Sequence, residues 1–374
     1  MFDNTFRKQI NDCEPYIAGE TEDVVRKRYH LTKVVKLGSN ENPYGPFDHA
    51  RQAMIRSIDT VNRYPEDDFV ETKQLIADQW GLAAENVAIG SGAGNILENL
   101  AKEFLNEGDE VLIAKQSYRL YREISKMMGA KVLEIPLRND FQFDLTAFQK
   151  QINDKTKLIW ICNPNNPTST LTDAAQLETF IDNLPDHVWV VIDEAYADFS
   201  DQTKLPDLRK YIGKKRVVIV RTFSKFYGLA GARLGYALSD PKTIQGYDTM
   251  TEPFSTNRMV LAAAMASIKF DQKQIATTLA KIQNDRQEVT TELEKLGCEV
   301  APSQANFIFA KIPENGATAS DICQQLMEQG VIIRDCTPWG YPQHVRITIG
   351  THKEMQFFLE KFIGLLKADE EVTQ

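Results

Sequence analysis

A lysine stands in the run Arg221-Thr222-Phe223-Ser224-Lys225, and Arg233 follows it eight positions on. Upstream, Asp193-Glu194-Ala195-Tyr196 closes an apolar run, and before it lies Asn163-Pro164-Asn165-Asn166-Pro167-Thr168. An imine-forming amine, a carboxylate, a phenol, an amide and a guanidinium are the groups needed to hold and use pyridoxal 5′-phosphate. That cofactor is an electron sink held by an imine, a ring-nitrogen partner, an oxygen partner and a phosphate cup.

Lys225 is the imine candidate, because a neighbouring cation such as Arg233 and desolvation lower the pKa of an amine and make it nucleophilic. Asp193 ends the apolar stretch Val188–Ile192, which places it at the carboxyl edge of a sheet, where open α/β folds bind ligands. A buried carboxylate there can keep a pyridine nitrogen protonated, while Tyr196 and Asn166 can reach the phenolic oxygen. Gly90-Ser91-Gly92-Ala93-Gly94-Asn95 follows the strand pattern Val87–Ile89 and opens a helix. Its glycines let the backbone approach an anion, and the helix start offers free N–H groups. Thr222, Ser224 and Arg233 supply hydroxyls and a guanidinium to the same cup.

Each group also has an ordinary explanation. Acids suit a helix N-terminus, prolines suit a loop after a strand, and lysines are commonly solvated. Their joint occurrence at successive strand ends is what those explanations leave out. The glycine loop also approaches the dinucleotide pattern G-x-G-x-x-G, but Asn95 stands where the third glycine belongs. That reading leaves Lys225 and Asp193 without a purpose.

The elements that must carry these residues are legible as alternation. Val87–Ile89, Glu110–Ala114, Lys131–Ile135, Leu158–Cys162, Val188–Ile192 and Val217–Val220 are short, β-branched and bounded by turn or charged residues. Helical periodicity separates most of them, as in Ile96–Leu105, Tyr118–Met128 and Asp173–Leu184. Strands alternating with helices predict an α/β fold with a mostly parallel sheet covered on both faces. Past residue 250 the texture shifts to the helices Met259–Ile268 and Gln274–Leu296. The strand Asn306–Ala310, the helix Ala319–Gln329, the strands Val331–Arg334 and Val345–Ile349 and a final helix from Lys353 to Lys367 follow. The expected division is an arm and connector over 1–45, a large domain over 46–250 and a small α/β domain over 251–374.

Composition narrows the partners. The chain has 374 residues, 25% of them charged, and a net charge of −9 without a long single-sign block. That disfavours a general nucleic-acid surface, which wants a basic face. Five cysteines, none in a C-x-x-C pair, suggest neither zinc nor a redox motif. No stretch reaches the roughly 18 apolar residues of a membrane span. The N-terminal residues carry acid and amide where a signal peptide would be basic and apolar, so a cytoplasmic protein is expected.

At these residues the chain resembles the fold-type-I pyridoxal-phosphate-dependent aminotransferases, class II, and within them the histidinol-phosphate aminotransferases. The resemblance runs through Ser39–Pro46, Arg63-Tyr64-Pro65, the glycine loop, Asn163–Thr168, Asp193–Tyr196, Thr222–Lys225 with Arg233, and Arg346–Gly350. It implies that Lys225 binds the cofactor covalently, that Asp193 pairs with its ring nitrogen, and that Asn166 and Tyr196 hold its phenolic oxygen. Tyr118 would stack on the ring. Ala93 and Gly94 would lend N–H groups to the phosphate beside Thr222, Ser224 and Arg233.

The resemblance further implies a homodimer in which Tyr64 reaches the phosphate of the neighbouring subunit's cofactor. Arg346 would bind the substrate's anionic group, with Tyr16 and Asn40 lining the substrate pocket. Outside that context an arginine in an alternating strand is equally a surface residue. Two departures stand out: Gly94-Asn95 follow Ala93 where the family usually carries an acid, and Ser169 replaces a usual glycine. The implied reaction is ping-pong transfer from an amino donor to a 2-oxo acid such as 2-oxoglutarate, with Lys225 moving the proton. Histidinol phosphate is the expected donor and an aromatic amino acid the alternative; a non-catalytic regulator on the same fold is a more distant one.

Overall fold

The computed structural model describes residues 5–15, 19–66, 68–313 and 317–372. Thirteen strands run in chain order among the described residues: β1 (Val35–Lys36), β2 (Val87–Gly90), β3 (Glu110–Ala114), β4 (Lys131–Ile135), β5 (Thr156–Cys162), β6 (Trp189–Asp193), β7 (Val217–Thr222), β8 (Gly235–Leu238), β9 (Glu299–Val300), β10 (Phe307–Lys311), β11 (Val331–Ile332), β12 (Arg334–Asp335) and β13 (His344–Thr348).

Seven of them form one sheet in the order β2-β8-β7-β6-β5-β3-β4. All neighbours are parallel except the two pairs made by β8. Strands β2, β3, β6, β7 and β8 are buried along their whole length, as a sheet covered on both faces requires. Two apolar layers cover it. One is centred on Ile89, Ile161, Ile192 and Leu238, the other on Leu97, Trp160, Val191 and Tyr247. Helix starts are fixed by short polar side chains: Asp144, Asp173, Asp240 and Asn257 each accept an N–H of the first turn.

The fold class is as expected, and the strand β8 was not foreseen. Its four residues hold two small ones and follow a glycine-rich turn, a weak pattern by itself. Flanked by β2 and β7, it is stabilised by two ladders that no local propensity announces.

The second sheet is antiparallel, in the order β12-β13-β10-β9. The expected single strand Val331–Arg334 is divided: β11 pairs with β1, whereas β12 pairs with β13 across Arg334 and Arg346. The chain changes sheet at Ile333, so one apolar run serves two ladders. The connector is correspondingly more than an arm. It carries a helix at Glu22–Arg28, capped by Thr21, and β1 lays it along the second core.

Val260, Leu261, Ala264 and Ile268, from the helix Arg258–Phe270, belong to the core of the seven-stranded sheet. Ile282, Val289 and Leu293, farther along the helix Gln272–Lys295, belong to the second core. We therefore propose that the division between the two units lies within that helix rather than at residue 250.

Candidate active site

The register of the central sheet assembles the site. Cys162 on β5 stands opposite Asp193 on β6, which in turn stands opposite Val220 on β7. β5 and β6 end level and β7 runs two residues further, to Thr222, so the segments leaving them converge: Asn163–Thr168, Ala195–Tyr196 and Phe223–Lys225. The glycine loop after β2 joins from one side. From the other come Ser39–Glu41 of the connector and Arg346 of β13.

Together these segments line a cavity of about 380 Å3. Lys225, Asp193, Tyr196, Asn166, Thr222, Ser224, Arg233, Ala93, Gly94, Tyr118, Asn40 and Arg346 all border it. A larger cleft of about 880 Å3 lies at the opposite strand edge, near Lys157, Trp189 and Arg216. No candidate site residue borders it, and strand amino ends are not where this sheet type binds ligands.

Lys225 is half-buried, and its Nζ donates to the carbonyl of Ser39 at 3.0 Å. Burial, then the Arg346 guanidinium and more weakly Arg233, bring its amine down to about 8, against an opposing pull from Glu41. Asp193 is 4% exposed and, mainly through burial, its carboxyl rises to about 6. Its Oδ1 accepts from the Ala195 N–H at 3.0 Å and its Oδ2 from the Tyr121 hydroxyl at 2.8 Å.

Tyr196 is held by Asn40, whose Nδ2 donates to Oη at 3.1 Å. The Oδ1 of Asn40 accepts from Thr348 at 3.1 Å, and its carbonyl accepts from Asn306 at 3.2 Å. Asn40 adopts the left-handed conformation at φ 54°, and these bonds from β13 and the β10 approach hold it there. Arg346 is buried. Its Nη1 donates to Asn166 Oδ1 at 2.5 Å and its Nη2 to the Gly38 carbonyl at 2.6 Å.

The anion cup forms where the helix Ala93–Phe104 begins. Gly92 caps it at φ 88° without a side-chain acceptor, so the first-turn N–H groups stay available to a ligand. A Cβ on Gly92 would run into Arg233 Nη2, and one on Gly235 would lie 2.6 Å from the Ala93 nitrogen. Only glycines permit this approach. Arg233 also donates to Ser224 Oγ at 3.4 Å, and the Ser224 N–H donates to Thr222 Oγ1 at 3.0 Å. Asn95, at the unusual loop position, turns back to accept from the Ser91 N–H at 3.2 Å.

The donor set therefore fits pyridoxal phosphate: an amine, a buried carboxylate, a phenol and an amide around one cavity, and at its end a cradle kept open by glycine. Tyr118 borders the cavity and meets Tyr121 edge-on at 5.5 Å. Tyr64 lies outside it, 75% exposed and stacked on Phe254 at 4.5 Å. Tyr16 falls outside the described residues.

Three partners escaped the sequence reading. Tyr121 follows Tyr118 by three positions, the spacing of neighbours on the expected helix Tyr118–Met128, although the helix itself begins at Leu120 and Tyr118 lies just before it. Ser39 acts through its carbonyl, which no residue type signals. Arg334 stands opposite Arg346 in the β12–β13 register, and that pairing of strands was hidden by the division at Ile333.

Residues 32–362 match the family described as aminotransferase class I and II. Over 362 residues the chain is 35% identical to histidinol-phosphate aminotransferase of Moorella thermoacetica, covering 96% of this chain and 92% of that one. It is 36% identical over 357 residues to histidinol-phosphate aminotransferase 2 of Pasteurella multocida, with 95% and 96% covered. Among solved structures, histidinol-phosphate aminotransferase from Sinorhizobium meliloti in complex with pyridoxal-5'-phosphate superposes with a TM-score of 0.90 at 26% identity, covering 98% and 99% of the two chains. A Thermus thermophilus aspartate aminotransferase mutant, 19% identical with a TM-score of 0.82 and 96% and 98% covered, shares the fold. The chain belongs to the aminotransferase class I and II family, and is a pyridoxal-phosphate-dependent transaminase of fold type I.

Proposed function

We propose that this protein is a histidinol-phosphate aminotransferase of histidine biosynthesis, moving the amino group of histidinol phosphate to 2-oxoglutarate. The observation that carries the reading is Arg346. It is a buried guanidinium, oriented by Asn166 and Gly38, bordering the cavity that also contains Lys225. One such fork suits the phosphate of the donor and, in the second half-reaction, a carboxylate of the 2-oxo acid. The full-length relatives bearing that name support the same substrate.

When bound, the cofactor supplies an electron sink conjugated with the reacting carbon. Lys225 would hold its aldehyde carbon until the substrate amine takes that place. Once free of the cofactor, the Lys225 Nζ would be placed to accept a proton from the substrate carbon and to give one back. An amine lowered to about 8 suits both halves of that transfer near neutral pH. Asp193 would balance a protonated ring nitrogen, and Asn166 and Tyr196 would donate to the phenolic oxygen. Tyr118 would cover the ring face. Ala93, Gly94, Thr222, Ser224 and Arg233 would fix the phosphate, and Asn40 would hold Tyr196 while lining the substrate side with Tyr16.

A homodimer follows from the same reading, with exposed Tyr64 directed to the neighbouring subunit's phosphate. The protein would work in the cytoplasm; among the described residues no helix is long and apolar enough to cross a membrane. The test is kcat/KM of the purified enzyme for histidinol phosphate against tyrosine and phenylalanine, each with 2-oxoglutarate. A preference for the phosphate ester upholds the substrate, and a preference for tyrosine replaces it with the aromatic alternative.

A further inference from the structure

The carboxylate of Asp193 has a buried side-chain partner, and it comes from a different layer of the fold. Tyr121, on the helix Leu120–Met127, is 1% exposed, and its hydroxyl donates to Asp193 Oδ2 at 2.8 Å. Among the described residues it is the one side chain hydrogen-bonded to that carboxylate. The ring is held in place by its neighbours. It stacks on Trp160 at 5.4 Å with an interplanar angle of 10° and meets Tyr118 edge-on at 5.5 Å. Trp160 is itself anchored by donating from Nε1 to Ser125 Oγ at 3.1 Å. The phenol is therefore aimed by packing, so the bond costs little further ordering.

A hydroxyl bonded to a carboxylate in a dry site favours the charged form, whereas burial favours the neutral acid. Of the groups acting on Asp193, burial raises its pKa, and Tyr121 is the largest opposing influence, ahead of the Ala195 N–H and Lys225. Cys162, Glu194 and Tyr196 are the other titratable groups close enough to sense Asp193. Burial also keeps the Tyr121 hydroxyl well above its ordinary pKa, so it remains a donor throughout the working range.

We propose that Tyr121 is a positioning residue for the transamination: its hydroxyl orients Asp193 and holds it ionised, and so sets how firmly the cofactor's ring nitrogen stays protonated. The inference rests on the reading that Asp193 faces that nitrogen. A carboxyl that retains its own proton cannot balance a pyridinium, so the effect of losing the Tyr121 hydroxyl on the cofactor should pass through Asp193, with Cys162 the other side chain that senses the phenol.

Tyr121→Phe keeps the ring and removes the hydroxyl. Two readouts besides turnover are used: cofactor affinity of the apoprotein, by fluorescence quenching, and the pH midpoint of the bound cofactor's absorbance. The substitution should weaken binding roughly 10-fold, as expected for a bond to a charged group, and move the midpoint upward. In an Asp193→Asn background the same substitution should add little. Incorporating 3,5-difluorotyrosine at position 121, a stronger donor of nearly the same shape, should move the midpoint downward and serves if Tyr121→Phe folds poorly. Equal losses in both backgrounds, or a midpoint indifferent to the phenol, overturn the proposal. If Asp193→Asn itself leaves affinity and spectrum untouched, the reading of Asp193 fails instead.

Discussion

Arg346 and Asn166, 180 positions apart, are joined by a hydrogen bond of 2.5 Å from guanidinium to amide oxygen. The residue proposed to hold the substrate's anion thus leans on the residue proposed to hold the cofactor's oxygen. One comes from β13 of the small antiparallel sheet, the other from the segment after β5 of the large sheet. On the proposed roles, substrate anchoring and cofactor positioning would share one polar network.

Arg346→Lys should therefore lower kcat/KM for the amino donor and the 2-oxo acid together. A lysine keeps the charge but loses the planar fork, and cannot serve Asn166, Gly38 and an anion in one geometry. The expected loss is roughly 10- to 100-fold for each substrate, from the strength of charged hydrogen bonds. Steady-state kinetics with both substrates measure it; a loss confined to one of them would assign the arginine to that substrate alone.

Lys225→Ala should abolish turnover and the visible absorbance of the bound cofactor. In the parent apoprotein the neutral amine is the form that attacks an aldehyde, and it predominates above the folded pKa of about 8. The initial rate of cofactor loading should accordingly rise with pH through about 8 and level off beyond it. Stopped-flow absorbance at fixed cofactor concentration records the profile.

Asp193→Asn should stabilise the apoprotein near neutral pH while weakening cofactor binding. The folded carboxyl is raised from 3.8 to about 6, so ionising it opposes folding. Its favourable contribution is complete below the unfolded pKa and is lost as pH climbs through about 6. The difference amounts to about 3 kcal/mol at most, at 1.36 kcal/mol per pKa unit. Thermal melts should show the variant above the parent at pH 7.5, with the gap closing by about pH 4.

Gly92→Ala should damage the anion cup more than the fold. The residue would sit at φ 88°, and its Cβ would run into Arg233 Nη2. The backbone strain is about 1–3 kcal/mol, and the displaced guanidinium should cost the cofactor at least roughly 10-fold in affinity. Calorimetry of binding, read beside the melting temperature, separates the two effects.

Arg221→Met should be among the most destabilising single changes at the site's edge. Arg221 is buried and donates to Glu194 at 2.7 Å and to Asp198 at 2.8 Å. Its removal leaves Glu194 charged and uncompensated, a loss of about 3–5 kcal/mol. Burial already raises the Glu194 carboxyl, so the variant should regain part of its stability as pH falls and that group takes up a proton. Denaturant melts at pH 7.5 and 5.5 test the sign.

Much of this molecule could be read before folding. Lys225, Asp193, Asn166, Tyr196 and Arg233 are recognisable because each follows a short β-branched run, and the ends of such runs in parallel sheets share one edge. The glycine loop is recognisable because glycine before a helix has few other uses. Tyr121 was hidden inside an ordinary amphipathic helix. β8 and the division of Val331–Arg334 were hidden because short strands owe their existence to partners far away in sequence.

The sequence by itself determined the alternation of strands and helices, the edge where chemistry gathers and the kinds of group found there, since these follow from periodicity and residue type. Tertiary structure alone decided which of those groups touch. Strand order and register brought Cys162, Asp193 and Val220 level. The pairing of β12 with β13 set Arg334 opposite Arg346. The packing of Trp160 against Tyr121 aimed a hydroxyl at Asp193. Such contacts depend on angles and distances of a few ångströms between distant segments, and no local pattern in the chain encodes them.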